Sequence, residues 1–118
     1  MKTIAIIDDH SDFRTIVKQM LYSYSNEWRL REFVSANEFF QLVGSRVPDI
    51  IILDVFLPGM DGMRALQKIK QSYPDSVVIM VSLHMNEDLV QEAQAMGADL
   101  CFQKDTFFDA LKELEKLE

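Results

Sequence analysis

The residues of this 118-residue chain whose types and order suggest joint chemistry are the paired carboxylates Asp8-Asp9, the isolated Asp54, the hydroxyl of Ser82 and the ammonium of Lys104. Carboxylates brought within a few ångströms of one another repel unless something neutralises them. A hard divalent cation does so, and Mg²⁺ takes about six oxygen ligands at roughly 2.1 Å while keeping several waters. Asp9, Asp54, a loop carbonyl and waters would complete such a shell, with Asp8 holding one of the waters. A carboxylate beside a metal is also a nucleophile, and aspartyl phosphates form in this way. Phosphoryl transfer asks the protein mainly to position groups and to neutralise charge on the equatorial oxygens. Ser82 and Lys104 are the groups to do that.

Each of these residues has a plain reading when taken singly. Asp9 suits a helix cap, Asp54 a turn, Ser82 a turn or cap and Lys104 a solvated charge. His10 reads as a helix-entry residue and is given no chemical role. The chemistry therefore depends on whether the chain brings the set together.

Residues 3–8 are apolar and β-branched up to the aspartate pair, and read as a buried strand. Phe13, Ile16, Val17, Met20, Leu21 and Tyr24 recur at helical spacing. Residues 28–34 interleave Arg29, Arg31 and Glu32 with apolar side chains, as an edge strand does to discourage stray pairing. Ala36, Phe39, Phe40 and Val43 form a second helical stripe. Residues 49–53 are apolar after the first, as a central parallel strand requires, and Asp54 ends the run. A loop with Pro58, Gly59 and Gly62 follows, then a helix carrying Met63, Leu66 and Ile69 that stops before Pro74. Residues 77–81 are a fourth apolar run. Leu89, Val90, Ala93 and Met96 mark a helix closed by Gly97, a natural left-handed cap. Residues 99–102 are a short fifth strand, and Phe107, Leu111 and Leu114 a last helix.

Five strands alternating with five helices imply an α/β fold, a doubly wound parallel sheet covered on both faces. Ligands of such sheets lie beyond the carboxyl ends of the strands. Asp8-Asp9, Asp54, Ser82 and Lys104 all fall at that rim. A nucleotide-binding sheet would place a glycine-rich phosphate loop after the first strand, where this chain has two carboxylates. A cation reverses the sign.

Composition narrows the classes of function. The net charge is −7, from 19 acidic and 12 basic residues, which disfavours contact with nucleic-acid or anionic membrane surfaces. The single cysteine, Cys101, offers no internal disulfide. The apolar runs are too short to span a bilayer, and two aspartates interrupt the first of them, so the expected location is the cytoplasm. Length and continuity fit one domain, residues 1–118.

Asp8-Asp9, Asp54 with Leu57-Pro58-Gly59-Met60-Asp61-Gly62, Ser82, Gly97-Ala98-Asp99 and Lys104-Asp105 form an ordered set that resembles the receiver domain of two-component response regulators. The resemblance runs from Ile4 to about Leu117. It implies a flavodoxin-like sheet of strand order 2-1-3-4-5. It implies that Asp54 is phosphorylated, that Asp9, Asp54 and the Phe56 carbonyl ligate Mg²⁺, and that Asp8 supports the ion through water. Ser82 would hydrogen-bond the phosphoryl group and Lys104 would pair with it. The donor would be a sensor histidine kinase or a small acyl phosphate, and the response a phosphorylation-dependent homodimer or an altered effector contact. Such a domain is a switch rather than an enzyme with an external substrate.

Asp8-Asp9-His10, Asp12-Phe13-Arg14 and the Gly97 to Asp105 segment are most similar to the branch carrying LuxR-type helix-turn-helix output domains. DNA binding would then belong to an output domain absent from this chain. Two positions depart from the family pattern. Cys101 stands where an aromatic residue is usual, and Leu83 where a small residue follows the hydroxyl. These departures keep open a degenerate or stand-alone receiver that acts as a protein-binding module. A haloacid dehalogenase-type phosphatase would need a D-x-D motif after the first strand. A flavodoxin-type flavin module would need a hydroxyl-rich phosphate loop there. Asp8-Asp9-His10 supplies neither.

Overall fold

The computed structural model describes residues 2–24 and 27–107. Its elements alternate as the apolar runs foretell. They are β1 (Thr3–Ile7), α1 (Ser11–Tyr24), β2 (Arg29–Phe33), α2 (Ala36–Leu42), β3 (Ile50–Asp54), α3 (Gly62–Ser72), β4 (Val77–Ser82), α4 (Glu87–Ala95) and β5 (Leu100–Gln103). A 3₁₀ turn, Lys104–Thr106, follows β5. The strands form one parallel sheet in the order β2-β1-β3-β4-β5. Four α-helices are described rather than the five expected. Of the fifth, Phe107 is described at the end of the 3₁₀ turn, while Leu111 and Leu114 lie outside the described residues.

The centre of the sheet is apolar on both faces, so side chains of alternating parity feed two separate clusters. Ala5, Ile7, Ile51, Leu53, Val78 and Met80 pack with α2, α3 and α4. Ile4, Ile6, Ile50, Ile52, Ile79 and Val81 pack with Val17 and Leu21 of α1, Trp28 and Phe107. Burying an aliphatic side chain of this size contributes roughly 1.5–3 kcal/mol. A one-residue slip of β3 would exchange the two sets and bring Asp54 out of line.

Helix starts follow local chemistry. Ser35, Asp61 and Asn86 each accept a hydrogen bond from the amide three residues on, at 3.1, 2.9 and 2.8 Å. The cap at Asn86 starts α4 at Glu87, two residues before its first apolar position. Gly97 has a φ of 106° and ends α4, as expected of a left-handed cap. Gly62 opens α3 hard against the end of β3, its N–H donating to the Val55 carbonyl at 2.8 Å. A Cβ there would overlap the Asp54 carbonyl oxygen and come within 2.7 Å of Val55.

Arg31 departs from the sequence reading. Its guanidinium does not merely guard an edge; it donates to the carbonyls of Leu42 at 2.7 Å and Arg46 at 3.1 Å. It thereby satisfies the Leu42 acceptor that the end of α2 leaves over and holds the loop that follows.

Candidate functional site

The carboxyl ends of β1, β3, β4 and β5 meet at one rim, and a shared local device aims their side chains. Asp8 Oδ1 accepts the amide of His10 at 2.9 Å, Asp54 Oδ1 that of Phe56 at 3.1 Å, and Ser82 Oγ that of His84 at 3.3 Å. Each side chain folds back on the amide two residues ahead, which turns the chain and fixes its own orientation. The plain turn reading of Asp54 and Ser82 is therefore true as well, and it leaves Asp54 Oδ2 and the Ser82 O–H free for other partners.

The Asp54 Oδ2 atom lies 3.2 Å from Lys104 Nζ, which also stands 2.7 Å from Asp8 Oδ2. Asp8, Asp54 and Ser82 are all buried, at 0%, 2% and 0% exposure, and the Lys104 side chain is 6% exposed. Backbone register explains the meeting. Asp54 pairs with Val81, one residue before Ser82, and Ser82 pairs with Gln103, one residue before Lys104. Arg14 secures the other side by donating to the Asp8 carbonyl at 2.7 Å and to Glu32 at 3.1 Å.

Burial raises the Asp54 carboxyl above its ordinary value of 3.8, and the charge of Asp8 adds to the rise. Lys104 and the Phe56 amide pull the other way without cancelling it. One ammonium thus faces two buried carboxylates, Asp8 and Asp54. Asp8 Oδ2 is buried and meets Lys104 as a charge contact, yet has no hydrogen bond of proper geometry.

Ligand atoms of Asp8, Asp9, His10 and Asp54 lie within 4.8 Å of one another, a spacing a single cation spans. The oxygen-rich set fits a hard divalent ion, Mg²⁺ among them. His10 is the member that sequence reasoning passed over. Its Nδ1 stands 3.0 Å from Asp8, 3.4 Å from Asp9 and 3.9 Å from Asp54, and 3.2 Å from Lys104 Nζ. The available signal was its adjacency to Asp8-Asp9; its direction came only with the turn that Asp8 makes.

Phe56 and Leu83 are exposed, at 63% and 62%. Leu83, which stands where the family usually has a small residue, is thus largely open to solvent. Cys101 is half-buried against the cluster formed by α2, α3 and α4, and burial pushes its thiol above the ordinary 9.0. Asp99, part of the Gly97-Ala98-Asp99 run, has a structural task. It accepts from Val78 N–H at 2.8 Å and Lys70 Nζ at 2.9 Å, which pins the start of β5 to β4 and α3.

Comparison with known proteins identifies the family. Residues 4–115 match the response regulator receiver domain, and the chain belongs to that family. It is 32% identical over 114 residues to the transcriptional regulatory protein DegU of Brevibacillus brevis, covering 97% of this chain and 48% of that protein. It is 33% identical over 103 residues to the nitrate/nitrite response regulator protein NarL of Escherichia coli K12, covering 87% of this chain and 48% of that one. The chain thus spans about half the length of these relatives. The fold is shared with the signal receiver domain of a DNA-binding response regulator from Colwellia psychrerythraea, at a TM-score of 0.86 and 24% identity, covering 98% of this chain and 99% of that one. Among the described residues no helix is long and apolar enough to cross a membrane.

Proposed function

We propose that this chain is one receiver domain, residues 1–118, that takes a phosphoryl group on Asp54 in a Mg²⁺-dependent reaction and passes the change on as a signal. The observation that carries this reading is the buried Lys104 ammonium held between Asp8 and Asp54 beside a cation-sized group of ligand atoms. Asp8, Asp9, Asp54 and the Phe56 carbonyl would hold the ion. When bound, Mg²⁺ neutralises the carboxylates and the incoming phosphoryl oxygens.

The chain's own groups do the rest. Asp54 Oδ2 attacks phosphorus and a new O–P bond forms. The bond from phosphorus to the donor imidazole breaks, and its electron pair returns to the imidazole nitrogen. Phe56 N–H holds Oδ1 so that the other oxygen is presented. Lys104 gives its charge to the transferred group, and the Ser82 hydroxyl donates from the neighbouring strand end.

A sensor histidine kinase is the donor in this reading. The response is a homodimer or an effector contact that changes with phosphorylation. The relatives' names, a transcriptional regulatory protein and a nitrate/nitrite response regulator, support control of transcription through a LuxR-type DNA-binding domain beyond this chain. With a charge of −7 the domain leaves nucleic acid to that partner. The cytoplasm is the compartment where such a kinase domain supplies it.

Intact-mass spectrometry after incubation with Mg²⁺ and acetyl phosphate tests the reading. One phosphoryl adduct is expected, absent from Asp54→Asn and from the wild type in EDTA. An adduct that survives in Asp54→Asn refutes the assignment. No adduct on the wild type favours the alternative, a receiver that binds partners without being phosphorylated, for which the missing aromatic at Cys101 is the supporting observation.

A further inference from the structure

We propose that Phe13 is the positioning residue for Lys104, and that it ties the place of the ammonium to Phe107 at the start of the chain's last segment. The inference rests on the reading of Asp54 as phosphoacceptor and adds a route out of the site.

The Phe13 ring lies with its centroid 4.7 Å from Lys104 Nζ. The same ring meets Phe107 edge to face, at 5.5 Å between centroids and 73° between planes. Phe107 is 2% exposed. Lys104 is therefore enclosed, with the oxygens of Asp8 and Asp54 as its anionic partners and an aromatic face as a further wall. The attraction between a cation and a ring face grows when water is excluded, as it is here. Packing of the Phe13–Phe107 pair has its own preferred geometry, so a shift of one ring is felt by the other.

This aromatic contact does not pass through position 101. Cys101 packs into the cluster shared by α2, α3 and α4. Phe13, Phe102 and Phe107 pack into the cluster on the opposite face of the sheet, beside α1. The aromatic link thus runs on the α1 side. When Lys104 is drawn towards charge added at Asp54, it leaves or presses the Phe13 ring, and Phe107 follows. A modification shifts such an equilibrium only by contacts that differ between the states, and the contact between Lys104 and Phe13 is one.

Two readouts in the whole chain test this, on wild type, Phe13→Tyr and Phe13→Leu. The first is hydrogen exchange of the Lys104 ammonium, followed by NMR without any phosphoryl mimic. Exchange about tenfold faster in Phe13→Leu is expected, with the wild-type rate kept by Phe13→Tyr, which retains a ring face. The second is the aromatic ¹³C signal of Phe107 on adding beryllofluoride and Mg²⁺. It should move in wild type and Phe13→Tyr and stay in place in Phe13→Leu. Unchanged exchange in Phe13→Leu, or an undiminished Phe107 response, overturns the proposal. Should Phe13→Leu not fold, Phe13→Met supplies similar volume without a ring. If beryllofluoride leaves the wild type unmoved, the phosphoacceptor reading fails, while the exchange rate still decides whether Phe13 positions Lys104.

Discussion

Replacing Lys104 by Met should destabilise the metal-free protein sharply and the Mg²⁺-loaded protein much less. The ammonium lies 2.7 Å from Asp8 and 3.2 Å from Asp54 and is 6% exposed. At an effective dielectric near 20, each contact is about 5–6 kcal/mol of gross attraction. Much of that is offset by taking the ammonium out of water, and removal of one partner from such buried groups costs about 3–5 kcal/mol net. Methionine keeps the stem's volume, so the loss reports charge rather than a cavity. A cation bound by the same carboxylates stands in for the missing charge. The variant should therefore bind Mg²⁺ more tightly than the wild type, and each tenfold gain in affinity returns about 1.4 kcal/mol at saturation. Urea denaturation of both proteins in EDTA and in excess MgCl₂ measures all four stabilities. A loss below about 1 kcal/mol in EDTA, or a loss that Mg²⁺ does not reduce, would refute the reasoning that the ammonium and the metal answer the same charge.

Other substitutions probe the surroundings of that site. Asp54→Asn should stabilise the metal-free protein at neutral pH, because burial and Asp8 raise the folded carboxyl above 3.8 and its ionised form is disfavoured. Its advantage should shrink as pH falls through the raised folded value and vanish below 3.8, where the wild-type acid is neutral in both states, and urea titrations across that window check the sign. Gly62→Ala should cost more than about 2 kcal/mol, since its Cβ meets backbone rather than a yielding side chain, and thermal unfolding reads it directly. Cys101 should resist iodoacetamide at pH 8 in the folded protein and react readily in urea, because burial raises its thiol above 9.0. The stability gained by keeping that thiol neutral is present below 9.0 and lost as pH climbs through the folded value.

The strands were legible because residues 50–53 and 77–81 are unbroken apolar runs, and only a central parallel strand buries both faces. Strand order and the rule that ligands sit beyond carboxyl ends then collected Asp8, Asp54, Ser82 and Lys104 onto one rim. What stayed hidden depends on the direction of individual side chains. His10 was read as a bland helix entry because nothing in its neighbours says that Asp8 will fold back on it. The contact of Phe13 with Lys104 joins residues 91 positions apart, and Phe13 counted only as part of the α1 stripe. Arg31 was read as an edge-strand charge; it reaches carbonyls at and beyond the end of α2, which charge patterning along a strand does not encode.

Strand β3 is paired with β4 along its length and with β1 over residues 50–53, and every one of its residues is buried. β5 is shorter, has β4 as its partner among the described residues, and every one of its residues is partly exposed. Asp54 is thus mounted on a strand buried and flanked on both sides, and Lys104 follows an edge strand. Amides of β3 should exchange with solvent only when the whole domain opens, while those of β5 exchange through smaller excursions. On the proposed reading, the acid is the stationary jaw of a clamp and the lysine the jaw that travels.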